Sequence, residues 1–163
     1  MARKSKVKIK DTLTVEGKKF NEMLYELKKL QVRIGFQHGK ATEEDGTDIC
    51  DVAAWNELGT KNMPSRPFLR KSVDENRERI DNFLQSTKDD LVRGKPAEKI
   101  LKDIGIFQKD LIQEKITEGS FKENADSTIE IKRKKGRDEP IKPLIDTGKM
   151  RQSVNYVIEK KRK

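Results

Sequence analysis

Cysteine and histidine are almost missing from this chain, and each scarcity closes a class of chemistry. With Cys50 as its one cysteine, the chain can form no internal disulfide and no cysteine-rich zinc site. With His38 as its one histidine, a histidine-based triad or a multi-histidine metal centre is not expected. Aromatic residues are 6 %, and most fall at core-like helical positions, which leaves little for a base-stacking platform. No apolar run is long enough to cross a bilayer, so no membrane partner is expected. Residues 1–10 hold no apolar stretch of signal-peptide type, so secretion by that route is not expected. Gly35 and Gly39 do not fit the spacing of a phosphate-cradling loop.

Charge is what the chain has in quantity. Charged residues are 40 % of 163 and the apolar set only 33 %, so the core must be small for its surface. The length suits one domain with tails. The apolar residues fall into periodic segments, which argues against a wholly disordered chain. The net charge of +9 is unevenly spread: residues 1–10, 132–137 and 159–163 together hold +13, which leaves a body of −4. Residues 40–60 carry six acids against Lys40 alone. Basic ends of this kind bind nucleic acid by phosphate neutralisation, bind an acidic protein surface, or are simply solvated.

Along the chain, residues 1–11 read as a basic arm without periodicity. Phe20, Met23, Leu24, Leu27 and Leu30 recur at helical spacing, which predicts an amphipathic helix from Thr14 to Leu30. Val32, Ile34 and Phe36 then alternate as a half-buried strand. Gly39 to Thr47 reads as a mobile acidic loop. Asp48 is the expected N-cap of a short helix that Gly59 ends. Pro64 and Pro67 make Met63–Pro67 a stiff extended connector. One long helix is expected over Phe68–Val92, broken by Gly94 and Pro96, and a second over Ala97–Glu118, ended by Gly119. Gly105 within the latter predicts a close packing contact. Ile129 and Ile131 predict a strand, Lys132–Pro143 a basic loop, Asp146-Thr147-Gly148 a turn, and Val154, Tyr156 and Ile158 a last strand. The fold class expected is α+β: one domain over 1–163, three to four helices on a small, mostly antiparallel sheet with strands near 32–36, 128–133 and 153–158, and basic arms at 1–11 and 159–163.

No residue set calls for catalysis. The acids Glu43, Glu44, Asp45, Asp48 and Asp51 lack the oxygen-ligand spacing of a calcium loop and read as a solvated loop. Nothing in the sequence places Asp45 and Asp146 together as a paired acid and base. Cys50, on a helix among apolar neighbours, reads as a buried structural thiol. His38 reads as a surface residue. Trp55, beside Val52 and Leu58, is expected in the core or in an interface rather than on a ligand.

Two segments are more specific. One is Val52-Ala53-Ala54-Trp55-Asn56-Glu57-Leu58-Gly59-Thr60, followed by Met63-Pro64-Ser65-Arg66-Pro67-Phe68-Leu69-Arg70. The other is Pro143-Leu144-Ile145-Asp146-Thr147-Gly148-Lys149-Met150-Arg151-Gln152-Ser153-Val154. In this order, and with Val32-Arg33-Ile34-Gly35-Phe36 in front, they resemble the neck or tail-completion proteins of long-tailed bacteriophages, also described as minor tail or virion-morphogenesis proteins. The resemblance spans residues 20–158. The family's compact T-I-x-x-K-G element is matched at Thr128-Ile129, but the stretch to Gly136 is longer and more basic here.

The resemblance implies a structural virion protein, not an enzyme, with no cofactor and no metal. It implies a homo-oligomeric ring in the head–tail connector or at the head-proximal tail end. Its partners would be other connector, tail-terminator and tail-tube proteins, with non-specific DNA contact open to the basic arms. Its place would be the virion, and the host cytoplasm during assembly. The motif residues carried over are Asn56, Glu57, Gly59, Thr60, Pro64, Arg66, Pro67, Phe68, Arg70, Asp146, Thr147 and Gly148, which serve the monomer's fold, a subunit interface, or both. Arg66 and Arg70 are expected to reach carboxylates, with Glu57 as an intramolecular candidate and Glu43, Glu44 and Asp45 as candidates on a neighbour. Their alanine variants are then expected to fold but to join heads to tails poorly. The acidic and basic segments offer the two unlike faces that a ring requires. The first alternative reading is a basic nucleic-acid-associated protein, and the second a cytoplasmic enzyme of uncharacterised activity.

Overall fold

The computed structural model describes residues 13–161, so the whole basic N-terminal arm and the last two residues of the basic tail lie outside it. Helix α1 (Val15–Lys29) starts where Thr14 accepts a hydrogen bond from the Gly17 amide at 3.1 Å, and Lys28 and Lys29 close it on the cation-favouring end. It passes straight into β1 (Leu30–Gly35). β1 pairs antiparallel with β2 (Asn155–Lys160), in register from Leu30 opposite Lys160 to Gly35 opposite Asn155. β2 therefore takes in Glu159 and Lys160, which the sequence had assigned to the tail.

The long helix α5 (Ala97–Glu118) lies under this ribbon. Val32 and Ile34 stand opposite Ile158 and Tyr156, so these four share one face. That face is turned to α5, because the Tyr156 ring sits over Gly105. A Cβ at Gly105 would stand 2.6 Å from it. The close contact expected at this glycine is thus made by the last strand.

The remaining helices are α2 (Ile49–Leu58), α3 (Phe68–Asp74), α4 (Arg77–Val92), α6 (Asp126–Lys134) and α7 (Lys149–Ser153); α3, α4 and α7 pack on α5, and α2 packs on α3 and α7. The core joins Ile49 and Ala53 of α2, Phe68 of α3, Ile112 and Ile116 of α5, Met150 of α7 and Val154. Phe68 is fully buried and meets Phe36 edge to face at 6.0 Å. The class is α+β in a single small domain, with more helix and less sheet than the sequence suggested.

Two expectations are corrected. The helix expected over 68–92 is two helices, broken at Glu75 and Asn76. Asn76 departs from helical backbone at φ −118° and turns its side-chain amide back to the Ser72 carbonyl at 3.1 Å, while Glu75, still helical, pairs with the buried Lys115. The strand expected at 128–133 is helix α6. Two alternating isoleucines cannot fix a period, and the buried pair here is Ile129 and Lys132, three residues apart on one helix face. A lysine completes the inward stripe, so the helical period was hidden by its charge.

Candidate functional site

The two sequence motifs converge in space. The α2 helix delivers Asn56 and Glu57 at its C-terminal end. Gly59 then adopts φ 78° and ψ 171°, a region open only to glycine, and a Cβ there would stand 2.8 Å from the Ser65 amide nitrogen. Thr60 and Met63 bridge each other, and the connector returns through Pro64 along α2. The Arg66 amide donates to the Asn56 carbonyl at 2.6 Å, and the Ser65 hydroxyl to the Glu57 carbonyl at 2.7 Å.

Glu57 caps α3. Pro67 stands at the N-cap with no side-chain oxygen to offer, and the Glu57 carboxylate accepts the amides of Leu69 at 2.8 Å and Arg70 at 3.2 Å. An anion supplied from the preceding helix thus fills the role of a cap. Glu57 meets the backbone of Arg70, not its guanidinium. No carboxylate among the described residues forms an ion pair with the Arg70 side chain.

Arg66 departs furthest from expectation. Its side chain does not project to a carboxylate but is buried, 5 % exposed. Nε donates to the Lys122 carbonyl at 3.0 Å, Nη1 to the Asn56 amide oxygen at 3.3 Å, and Nη2 to the Glu123 carbonyl at 3.1 Å and Asn124 Oδ1 at 3.3 Å. All four acceptors are neutral, and burial lowers the guanidinium's pKa. Asn124 passes the network on, donating Nδ2 to the carbonyls of Pro140 and Lys142.

Lys132 is the second buried cation, 7 % exposed. Its ammonium donates to the Lys142 carbonyl at 3.1 Å and to the Ile145 carbonyl. Between those carbonyls lies Leu144, the one described non-glycine residue at positive φ, 63°. Lys132 thus staples a strained turn. Burial lowers its pKa, Asp146 opposes that, and the charges of Arg66 and Arg137 add to it. A cavity of about 180 Å³ lies at the junction, lined by Arg66, Lys132, Asn124, Asp146 and Glu43 among others.

Over this junction the acidic loop meets the basic one within the same chain. Arg137 donates to Glu44 at 2.8 Å and to Asp146 at 3.0 Å, and Lys135 lies 3.4 Å from Glu44. Thr147 donates its hydroxyl to Glu43 at 3.3 Å and accepts from the Lys149 amide at 3.2 Å. Gly148, at φ 78°, opens α7. Of the segments that offered complementary faces for a neighbour, the acidic loop and the basic stretch 132–137 thus have partners in their own chain, and residues 1–10 lie outside the described residues.

Elsewhere, Asp48 caps α2 as expected, through the Cys50 amide at 2.8 Å, and also accepts the Gly39 amide at 2.5 Å. Cys50 is half-buried, and burial with the carboxylates of Asp48 and Asp51 raises its thiol pKa. Trp55 is 48 % exposed and Leu58 76 %, so Trp55 is not a core residue. Among the described residues, no group of three or more His, Cys, Asp and Glu could hold a metal, and no helix is long and apolar enough to cross a membrane. Asn124, Lys132 and Lys115 were not singled out from the sequence. Loop amides and helix lysines carry no signal there, because Asn124 and Lys132 act on carbonyls, and Lys115 on the Glu75 carboxylate, that only folding brings near.

Compared with known proteins, the chain matches no family model, no curated protein and no solved structure.

Proposed function

We propose that this chain is a structural subunit of a long-tailed bacteriophage particle, acting in the head–tail connector or at the head-proximal tail end. In this reading it joins head to tail as one member of a homo-oligomeric ring. The observation that carries it is the convergence of the two family-like motifs on one polar network. Arg66 of the first motif, bonded to Asn56, reaches Asn124, which reaches the carbonyls before the second motif, where Lys132 holds the turn at Leu144. Motifs that meet this way form one unit, so their joint occurrence supports a shared fold more strongly than either alone.

A structural role is preferred to a catalytic one because the motif's polar groups are engaged in holding loops. Asn56, Glu57, Arg66, Asp146 and Thr147 all bond within the chain. The outward candidates for a neighbouring subunit are Arg70 with the exposed Trp55 and Leu58. The test is deletion of the coding sequence in the virus or prophage that carries it, with joined particles counted by negative-stain microscopy. Separate heads and tails, rejoined when the purified chain is added, are the expected outcome. Normal joining without the chain overturns the reading.

A further inference from the structure

A sheet of two strands has two open edges, and here the edge of β2 has its own chemistry. The Lys161 amide donates to the Lys29 carbonyl at 2.8 Å, which makes residues 29 and 161 a hydrogen-bonded pair. Bonded and non-bonded pairs alternate in an antiparallel ladder. The bonded pairs are therefore Gln31 with Glu159, Arg33 with Val157 and Gly35 with Asn155. Tyr156, Ile158 and Lys160 fall at the other positions, and their amides and carbonyls point away from β1. The Tyr156 amide is taken by Asn155 Oδ1 at 2.9 Å. Ile158 and Lys160 have no such cover among the described residues, and β2 is the more exposed strand of the two.

The end of the ribbon where Leu30 faces Lys160 is strongly basic. Lys28, Lys29, Lys160 and Lys161 are all exposed there, and the sequence continues Arg162-Lys163. None of the four forms an ion pair among the described residues. Glu159 is the acid nearest in sequence, and it accepts from Gln31 and Arg33. A second copy laid parallel would bring the same cations to the same end, which opposes pairing between copies in that direction, and an antiparallel copy would leave the lysines without a counter-charge. An acidic strand would meet both the unpaired ladder and the unpaired charge.

We infer that the open edge of β2 docks an extended acidic segment of a partner protein as a third strand. Backbone bonds to Ile158 and Lys160 supply the pairing, and the lysines at the ribbon end select for acid. This inference stands independently of the virion reading.

The probe is a blocked, fluorescent heptapeptide alternating Glu and Val, titrated against the full chain by anisotropy. Amide hydrogen exchange at Ile158 and Lys160 is followed in parallel. The expected result is saturable binding that protects both amides and weakens between about 50 and 500 mM salt. A Lys-Val peptide of the same length should not bind. Lys160→Pro removes one outward amide and one of the selecting cations without touching the ladder to β1, and should weaken binding about tenfold; Lys160→Gln, which keeps the amide, should weaken it less. Should Lys160→Pro fail to fold, exchange on the unaltered chain still decides. Equal binding of a Glu-Pro peptide, which has the charge but cannot pair as a strand, overturns the inference. So does unchanged exchange at Ile158 and Lys160, or their protection by self-association without peptide.

Discussion

Arg66 was read from the sequence as an arm reaching outward and is in fact a buried bracket. A guanidinium suits this place because its planar, preorganised fork of five donors serves four acceptors at fixed angles, two carbonyls and two side-chain amide oxygens. Arg66→Ala leaves the carbonyls of Lys122 and Glu123 and the amide of Asn124 without their donor. It should lower unfolding stability by about 3 kcal/mol in denaturant titration. Arg70→Ala, at an exposed side chain, should stay within about 0.5 kcal/mol of the parent by the same titration. A fall in head–tail joining in the Arg70 variant then reports an interface, whereas in the Arg66 variant it reports the fold. Lys132 has the same bracket logic. Its truncation frees the turn at Leu144, whose positive φ is unfavourable for a branched side chain.

Among the elements, the contact between α5 and β2 makes the sharpest demand on sequence. Alanine is favoured over glycine inside a helix by up to about 1 kcal/mol, but Gly105→Ala would drive a methyl into the Tyr156 ring. The variant should melt lower, by about 1–3 kcal/mol of overpacking, and Tyr156→Leu in the same chain should recover part of it. This glycine was legible in the sequence, because a glycine within a strongly apolar helical stripe needs a packing reason. Helices α1, α2 and α5 were legible for a related reason: each pairs a clear stripe or a cap with a glycine or strand that ends it. The break between α3 and α4 was not, since it lies at Asn76, one polar residue inside an unbroken apolar periodicity with no glycine or proline to mark it. Helix α6 was misread because its second inward residue is Lys132. The motif residues were legible as special positions, but their direction, inward for Arg66 and toward backbone for Glu57, is set by partners that only folding brings near.

For the whole molecule, charge governs behaviour. Glu44, Asp45, Asp48, Glu75, Asp90 and Glu118 all have pKa values below the usual carboxylate range. The causes are, in order, Arg137 with Lys135, the Thr47 amide, the Cys50 and Gly39 amides, Lys115, Lys95, and Lys115 again. In acid the unfolded chain therefore binds more protons than the folded one. The stability these groups contribute is fully present above about pH 4 and is lost as pH falls through their depressed folded values. Thermal melting should fall steeply on the acid side. Asp48→Asn keeps a cap for the Cys50 amide but not a second acceptor for Gly39, so its deficit should be largest near neutrality and close toward about pH 3.

Self-association should be weak in isolation, because Trp55 and Leu58 offer far less than the roughly 800 Å² per partner of a stable interface. Light scattering at micromolar concentration should report mainly monomer, and a stable ring without partners would contradict this. A reconstruction of the intact particle with this chain traced into density tests the central claim most directly. The expected density is a ring of copies between portal and tail tube, with Arg66 and Lys132 buried inside each copy and Trp55 and Arg70 toward a neighbour. Particles complete in head, neck and tail with no density for this chain would contradict it.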